Sequence, residues 1–192
     1  MSVAGLILAA GESKRMGSPK ALLEFQGETF LDRLIRVFSE FCAPVLVVVG
    51  SDAATVRSGV KSPERVIFAE NSDYRLGQLS SMQCGLRAVP ATAEGVLFTL
   101  VDHPNVRAST IQALLDPPAQ LLAIPRFEGR RGHPIYFRRD LFPEFLSLPP
   151  DSQAKLVVSR HAGGTRWADV DDRGILDDVD DPAAYRRLIE IA

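Results

Sequence analysis

Cysteine is scarce in this chain. Of 192 residues only Cys42 and Cys84 carry a thiol, and both sit among apolar neighbours. That argues against a disulfide scaffold or a cysteine-built metal site and for reduced thiols in a core. Neither sign of charge dominates. Twenty-two lysines and arginines stand against 24 aspartates and glutamates, for a net charge of −2, so no global basic field exists to recruit nucleic acid or an anionic membrane. Long hydrophobic runs are missing as well. Those around residues 6–10 and 45–49 fall far short of the roughly 20 residues that a spanning helix needs. No basic residue precedes the first of them, as a secretory leader would require. The expected setting is the cytoplasm, and any anion-binding site must be local.

What is present is a regular alternation of strand-like and helix-like segments, with no internal repeat. Strands are expected at residues 3–8, 44–49, 65–69, 95–101, 120–124, 134–137 and 165–170. Helices are expected at 29–41, 79–89, 109–115, 152–160 and 182–191. The first helix carries Phe30, Leu34, Val37, Phe38 and Phe41 on one face, with Thr29 as its cap. The last begins with Pro182 after a capping Asp181. VLVVVG and GVLFTLV are continuously apolar, the pattern of parallel strands covered on both faces. The expected fold is therefore α/β, a three-layer, doubly wound, mostly parallel sheet forming a single domain over residues 1–192. The proline-rich stretch 141–151 reads as a surface connection. In such sheets ligands gather at the carboxyl ends of the strands. The strands ending at Ala9-Ala10-Gly11 and at Val101-Asp102 should open onto the same rim.

The stretch GLILAAGESKRMGSPK, residues 5–20, joins that rim to three cations. It is not a Walker A loop, because five residues separate Gly11 from Gly17 and Ser18-Pro19 precedes the lysine. Nor does Gly11-Glu12-Ser13 supply a dinucleotide fingerprint. Its chemistry still suits phosphate. Gly11 lets backbone amides approach an anion, Arg15 can fork onto phosphate oxygens, and Lys20, stiffened by Pro19, adds a point charge.

LAAGESKRMGSPK closely resembles the signature of the nucleotidyltransferases that attach a nucleotide to the molybdenum cofactor, and within them the cytidylyltransferases. The resemblance continues through NSDYRLGQLSSMQCGL, VDHP, GRRGHPIYF and DDVDDPAAY, five ordered motifs spanning nearly the whole chain. It implies a Rossmann-like, glycosyltransferase-A-like fold and transfer of CMP from CTP to the cofactor's terminal phosphate, with release of pyrophosphate. CTP and the molybdenum cofactor, a molybdopterin, are then the substrates. A client molybdoenzyme or its maturation factor is a further partner. Mg2+ is the implied cofactor, with Mn2+ as an alternative.

Residue by residue, the resemblance makes Arg15, Lys20 and Asp102 catalytic: Arg15 at the β- and γ-phosphates, Lys20 at the α-phosphate, Asp102 on the metal. Asp102 suits that role because the end of a buried strand holds its carboxylate rigidly. The second metal ligand would be Asp180, with Asp178 as the fallback. Leu8, Ala9, Ala10 and Gly11 would face the base, with Gly77, Ser80 and Ser81 nearby; the two serines could equally be helix caps. Ala10 separates the cytidylyl branch from a guanylyl branch that has glycine there. Arg131, Gly132 and His133 would meet the acceptor phosphate, and His161 is assigned to the surface.

The chain departs from the pattern at several points. His103 replaces a glutamine, Ser72 a proline and Asp181 a threonine, and PPDSQAKLVV lacks two expected glycines. The last change bears on the acceptor side. It leaves two alternatives open: transfer to another phosphorylated acceptor such as a sugar phosphate, or a non-catalytic module that carries the cofactor.

Overall fold

The computed structural model describes residues 2–117 and 121–190. Its strands are β1 (Val3–Ala9), β2 (Glu24–Phe25), β3 (Glu28–Thr29), β4 (Val45–Val49), β5 (Val66–Glu70), β6 (Gly95–Leu100), β7 (Leu122–Phe127), β8 (Arg130–Arg131), β9 (Ile135–Arg138) and β10 (Thr165–Asp169). Its helices are α1 (Phe30–Ser39), α2 (Ala53–Gly59), α3 (Gln78–Ala88), α4 (Ala108–Leu115), α5 (Phe142–Ser147), α6 (Lys155–Arg160) and α7 (Pro182–Glu190). Of the expected elements, Gln120 in the fifth strand and Ile191 in the last helix lie outside the described residues.

One sheet runs in the order β10-β7-β9-β6-β1-β4-β5, with β8 pairing β7. The wholly buried β1 and β4 are interior strands, where saturation with valine, leucine and isoleucine is required because helices cover both faces. Side-chain alternation divides the core accordingly. Ile7, Val45 and Val47 pack with Phe30, Leu34 and Phe38 of α1 and Ile111 of α4 on one face. Leu6, Leu46 and Val48 pack with Leu79 and Met82 of α3 and Phe145 of α5 on the other. The result is the doubly wound, mostly parallel α/β sheet that the sequence implies.

One strand runs against that grain. β9 lies between β6 and β7 and is antiparallel to both. The cause is local: a tight turn at Glu128-Gly129, both with positive φ, sends the chain straight back along β7, and so short a connection joins only antiparallel neighbours. The returning arm is longer than its partner. Two residues separate Ala123 from Arg126 on β7, while four separate Arg131 from Tyr136. The excess bulges out at Gly132-His133-Pro134, next to the end of β6.

Several local expectations need correction. Residues 141–151 are not merely a surface connection. Leu141, Phe142 and Phe145 are buried and α5 forms around them, because their i, i+1, i+4 spacing makes one apolar face and Pro143 is tolerated in a first turn. The helix expected from 152 begins only at Lys155. α2 and the β2–β3 hairpin, with Gln26 and Gly27 at positive φ, were not foreseen. Thr29 does cap α1, its Oγ1 accepting from Asp32 N at 3.0 Å. Both cysteines are free thiols. Among the described residues no helix is long and apolar enough to cross a membrane.

Candidate active site

β1, β6 and the chain between β10 and α7 deliver their side chains to one rim. After β1 the loop turns at Ser13 and Gly17, both at positive φ. The Ser13 hydroxyl accepts from Lys20 N at 3.0 Å. Pro19 then opens a 3-10 turn over Lys20–Leu22 whose Ala21 is buried, so the backbone of Lys20 is held at both ends. On the neighbouring strand Val101 N donates to Leu8 O at 3.0 Å, which extends the sheet ladder and fixes Asp102 just past β6. The late acidic segment docks onto that point: Val179 N donates to Asp102 O at 3.0 Å, and Asn105 Nδ2 donates to Asp177 Oδ2 at 2.9 Å. Asp181 Oδ1 accepts from Ala184 N at 2.8 Å, the cap that the sequence suggests.

A cation–carboxylate network results. Lys20 Nζ lies 3.3 Å from Asp102 Oδ2 and 2.7 Å from Asp180 Oδ1, while Arg15 lies 3.0 Å from Asp180 Oδ2. The hydrogen bond from Lys20 holds the Asp180 carboxyl below its usual range, with Arg15 adding to the effect. Asp178 is pushed the other way, by desolvation and then by the charges of Asp102 and Asp180. Burial brings His103 down to about 4, reinforced by Lys20, and His133 down to about 3, reinforced by His103, so both rings are neutral near pH 7. They stack at 4.7 Å between centroids. Three buried atoms here have no hydrogen-bond partner: Asp102 Oδ1, His103 Nδ1 and His133 Nδ1. Asp102, His103 and Asp178 also offer ligand atoms within 4.8 Å of one another.

This network borders a cleft of about 450 Å3. Of the residues picked from the sequence, Leu8, Ala9, Ala10, Gly11, Arg15, Lys20, Gly77, Ser81, Asp102 and Asp180 line it. Ser80 lines a different cleft; its hydroxyl donates to Asp73 O or Gly77 O and accepts from Asn71 Nδ2. Arg131, Gly132 and His133 are absent from the lining. Arg131 is exposed on β8, and His133 is drawn under His103, its backbone N donating to Ile175 O at 3.0 Å. His161 is half-buried, with Nε2 2.6 Å from Glu144. Sequence reasoning missed Ser13, Asp52, Tyr74 and Gln78, which also line the cleft. Tyr74 and Gln78 belong to the NSDYRLGQ motif and could have been found there; Asp52 needed α2 to be recognised.

Open doubly wound sheet, glycine loop and rim-facing carboxylates together give the Rossmann-like architecture of nucleotidyltransferases of the glycosyltransferase-A type. Among solved structures, Rv0371c from Mycobacterium tuberculosis in complex with manganese superposes with a TM-score of 0.79 and 27% identity, covering all of both chains. Residues 5–165 match the MobA-like NTP transferase domain, and the chain belongs to that family. Its relatives diverge in name. The purine catabolism protein PucB of Bacillus subtilis is 30% identical over 94% of this chain and 93% of its own length. The nicotine blue oxidoreductase of Paenarthrobacter nicotinovorans is 31% identical over 97% and 96%. The molybdenum cofactor cytidylyltransferase of Escherichia coli is 24% identical over 97% of both.

Proposed function

We propose that this nucleotidyltransferase transfers CMP from CTP to the terminal phosphate of a molybdopterin-type cofactor and releases pyrophosphate. The observation that carries the reading is the placement of Lys20 between Asp102 and Asp180 beside the glycine loop. Residues 82 and 160 positions from Lys20 meet it where a triphosphate's charge needs neutralising. The acceptor, a phosphate monoester, is largely dianionic near neutral pH because its second pKa is about 6, so it attacks without a general base. An acceptor oxygen bonds to the α-phosphorus as the bond to the bridging oxygen breaks, and pyrophosphate leaves with the electron pair. Lys20 meets charge growing at the α-phosphate and Arg15 holds the departing β- and γ-phosphates. Positioning and electrostatics supply the rate.

The residues fit a divalent ion. The buried, unpartnered Asp102 Oδ1 is a free acceptor on a rigid strand end. Asp180 would be the second ligand if Lys20 and Arg15 released its oxygens to the triphosphate, and Asp178, whose carboxylate lies within 4.8 Å of Asp102, would be the fallback. Mg2+ or Mn2+ held there would neutralise phosphate charge and polarise the α-phosphate. Leu8–Gly11, Gly77 and Ser81 form the base side. The methyl group of Ala10, buried in the rim, narrows the slot against a purine. The name of the Escherichia coli relative supports the choice of CTP. Arg131 is the cation proposed for the acceptor phosphate, with Gly132 and His133 shaping its approach.

The test is pyrophosphate release from CTP, GTP, ATP and UTP in turn, with the molybdenum cofactor as acceptor. CTP alone should support turnover, and Ala10→Gly should admit GTP. Equal rates with all four nucleotides would refute the base assignment. A second reading keeps the transfer and changes the acceptor to another phosphorylated metabolite. It is favoured by the position of Arg131 outside the cleft and by the missing glycines at residues 149–158. An acceptor panel with CTP distinguishes the two.

A further inference from the structure

His103 has no part in the transfer chemistry above, yet the fold takes trouble to enclose it. A tight turn directly after β6, with His103 N donating to Leu100 O at 3.2 Å, tucks the residue inward until it is 8% exposed. The His133 ring backs it from one side, and the bulge of the returning hairpin arm is what brings His133 there. A buried imidazole nitrogen ordinarily finds a partner. His103 Nδ1 has none, and neither does Asp102 Oδ1. His103 Nε2 stands 3.9 Å from that same oxygen, beyond hydrogen-bond range. Two donors sharing one ion with bonds of about 2.1 Å lie about 3 Å apart when adjacent and about 4.2 Å apart when opposite. The Nε2 separation falls between these limits, and Asp102, one ring nitrogen of His103 and Asp178 offer ligand atoms within 4.8 Å of one another. With Nδ1 unpartnered, the enclosed ring has a nitrogen that no protein group occupies.

We propose that His103 supplies a nitrogen ligand to the ion held by Asp102, on the side that Asp178 faces, and that it biases the site toward a first-row transition ion such as Mn2+ over Mg2+. The inference rests on the metal site of the proposed reaction. Its chemical basis is donor preference. Mg2+ favours an oxygen-only octahedron and parts reluctantly with water, whereas imidazole is a good donor to transition ions. A His103 nitrogen therefore costs Mg2+ more than it costs Mn2+.

The experiment is Mn2+ binding to the full chain without nucleotide, followed by pulsed electron paramagnetic resonance. The bound ion should show the nitrogen hyperfine coupling of a directly ligated imidazole, altered by isotope-labelled histidine and lost in His103→Gln. In competition, the preference for Mn2+ over Mg2+ should fall about tenfold or more in that variant. Absence of nitrogen coupling in the native protein overturns the proposal, whether or not the variant folds, and so does coupling that persists in His103→Gln. Failure of CTP turnover would sink the proposed reaction while leaving these spectra as they are. Absent coupling with intact pyrophosphate release would sink only the role of His103.

Discussion

Replacing Lys20 by alanine separates what the network does for the fold from what it does for the reaction. Its side chain is 13% exposed, against 18% for Asp102 and 45% for Asp180. Breaking a fully buried pair costs about 3–5 kcal/mol and an exposed one about 0–1. This pair, open on the Asp180 side, should lie near the lower limit, at about 1–2 kcal/mol. For a chain of this size that lowers Tm by about 2–8 °C. The effect on turnover should be much larger. Removing one preorganised donor from a developing oxyanion costs about 2.7–4 kcal/mol, or 10²–10³ in kcat. Scanning calorimetry and continuous pyrophosphate release from CTP, run on one preparation, report both quantities. A Lys20→Ala enzyme that melts a few degrees early yet turns over within about fivefold of the native rate would refute the assignment of Lys20 to the α-phosphate.

Asp102→Ala should abolish turnover and divalent-cation binding while changing Tm by no more than a few degrees, since one of its oxygens already lacks a partner; calorimetry with metal titration checks both. Gly85→Ala should destabilise by about 1–3 kcal/mol through overpacking, because a methyl group there runs into Leu6 Cδ1 and stands 2.9 Å from Val48 Cγ2; an unchanged Tm would contradict the packing of α3 on the sheet. Arg36 donates to both oxygens of Glu28, and that hydrogen bond holds Glu28 below its ordinary 4.5. A depressed carboxyl contributes its stability above the ordinary value and loses it as pH falls through the lowered one. Arg36→Ala should thus trail the native protein by up to about 1 kcal/mol at pH 7, and denaturant melts of the two should converge once pH falls through that lowered value.

The buried strands were legible because only residues covered on both faces can be so uniformly apolar, and β1 and β4 are. The direction of β9 was not, since Ile135-Tyr136-Phe137-Arg138 reads the same either way; a two-residue turn at Glu128-Gly129 decided it. In the cleft, the glycine loop, Lys20 and Asp102 stood out because loop chemistry and strand ends mark them. The aspartates of residues 171–181 look alike in sequence, and which of them face the rim follows from tertiary docking, of Val179 N on Asp102 O and of Asn105 on Asp177. Ser80 could not be separated from Ser81 by composition. Asn71 Nδ2 donates to both hydroxyls, and it is the carbonyls of Asp73 and Gly77 that turn the Ser80 hydroxyl away.

The carboxylate that Lys20 touches most closely comes from the far end of the polypeptide, past residue 165, where the shared domain match stops. The same tail is fastened by Tyr185, whose hydroxyl donates to Glu24 O at 2.8 Å and whose ring meets Phe30 edge-on. Lys20 therefore gains its nearer counter-charge only once residues beyond 165 have docked, whereas Asp102 stands beside it without them. A chain cut at residue 165 would keep the pair of Lys20 with Asp102 and lose the carboxylate that Lys20 and Arg15 share.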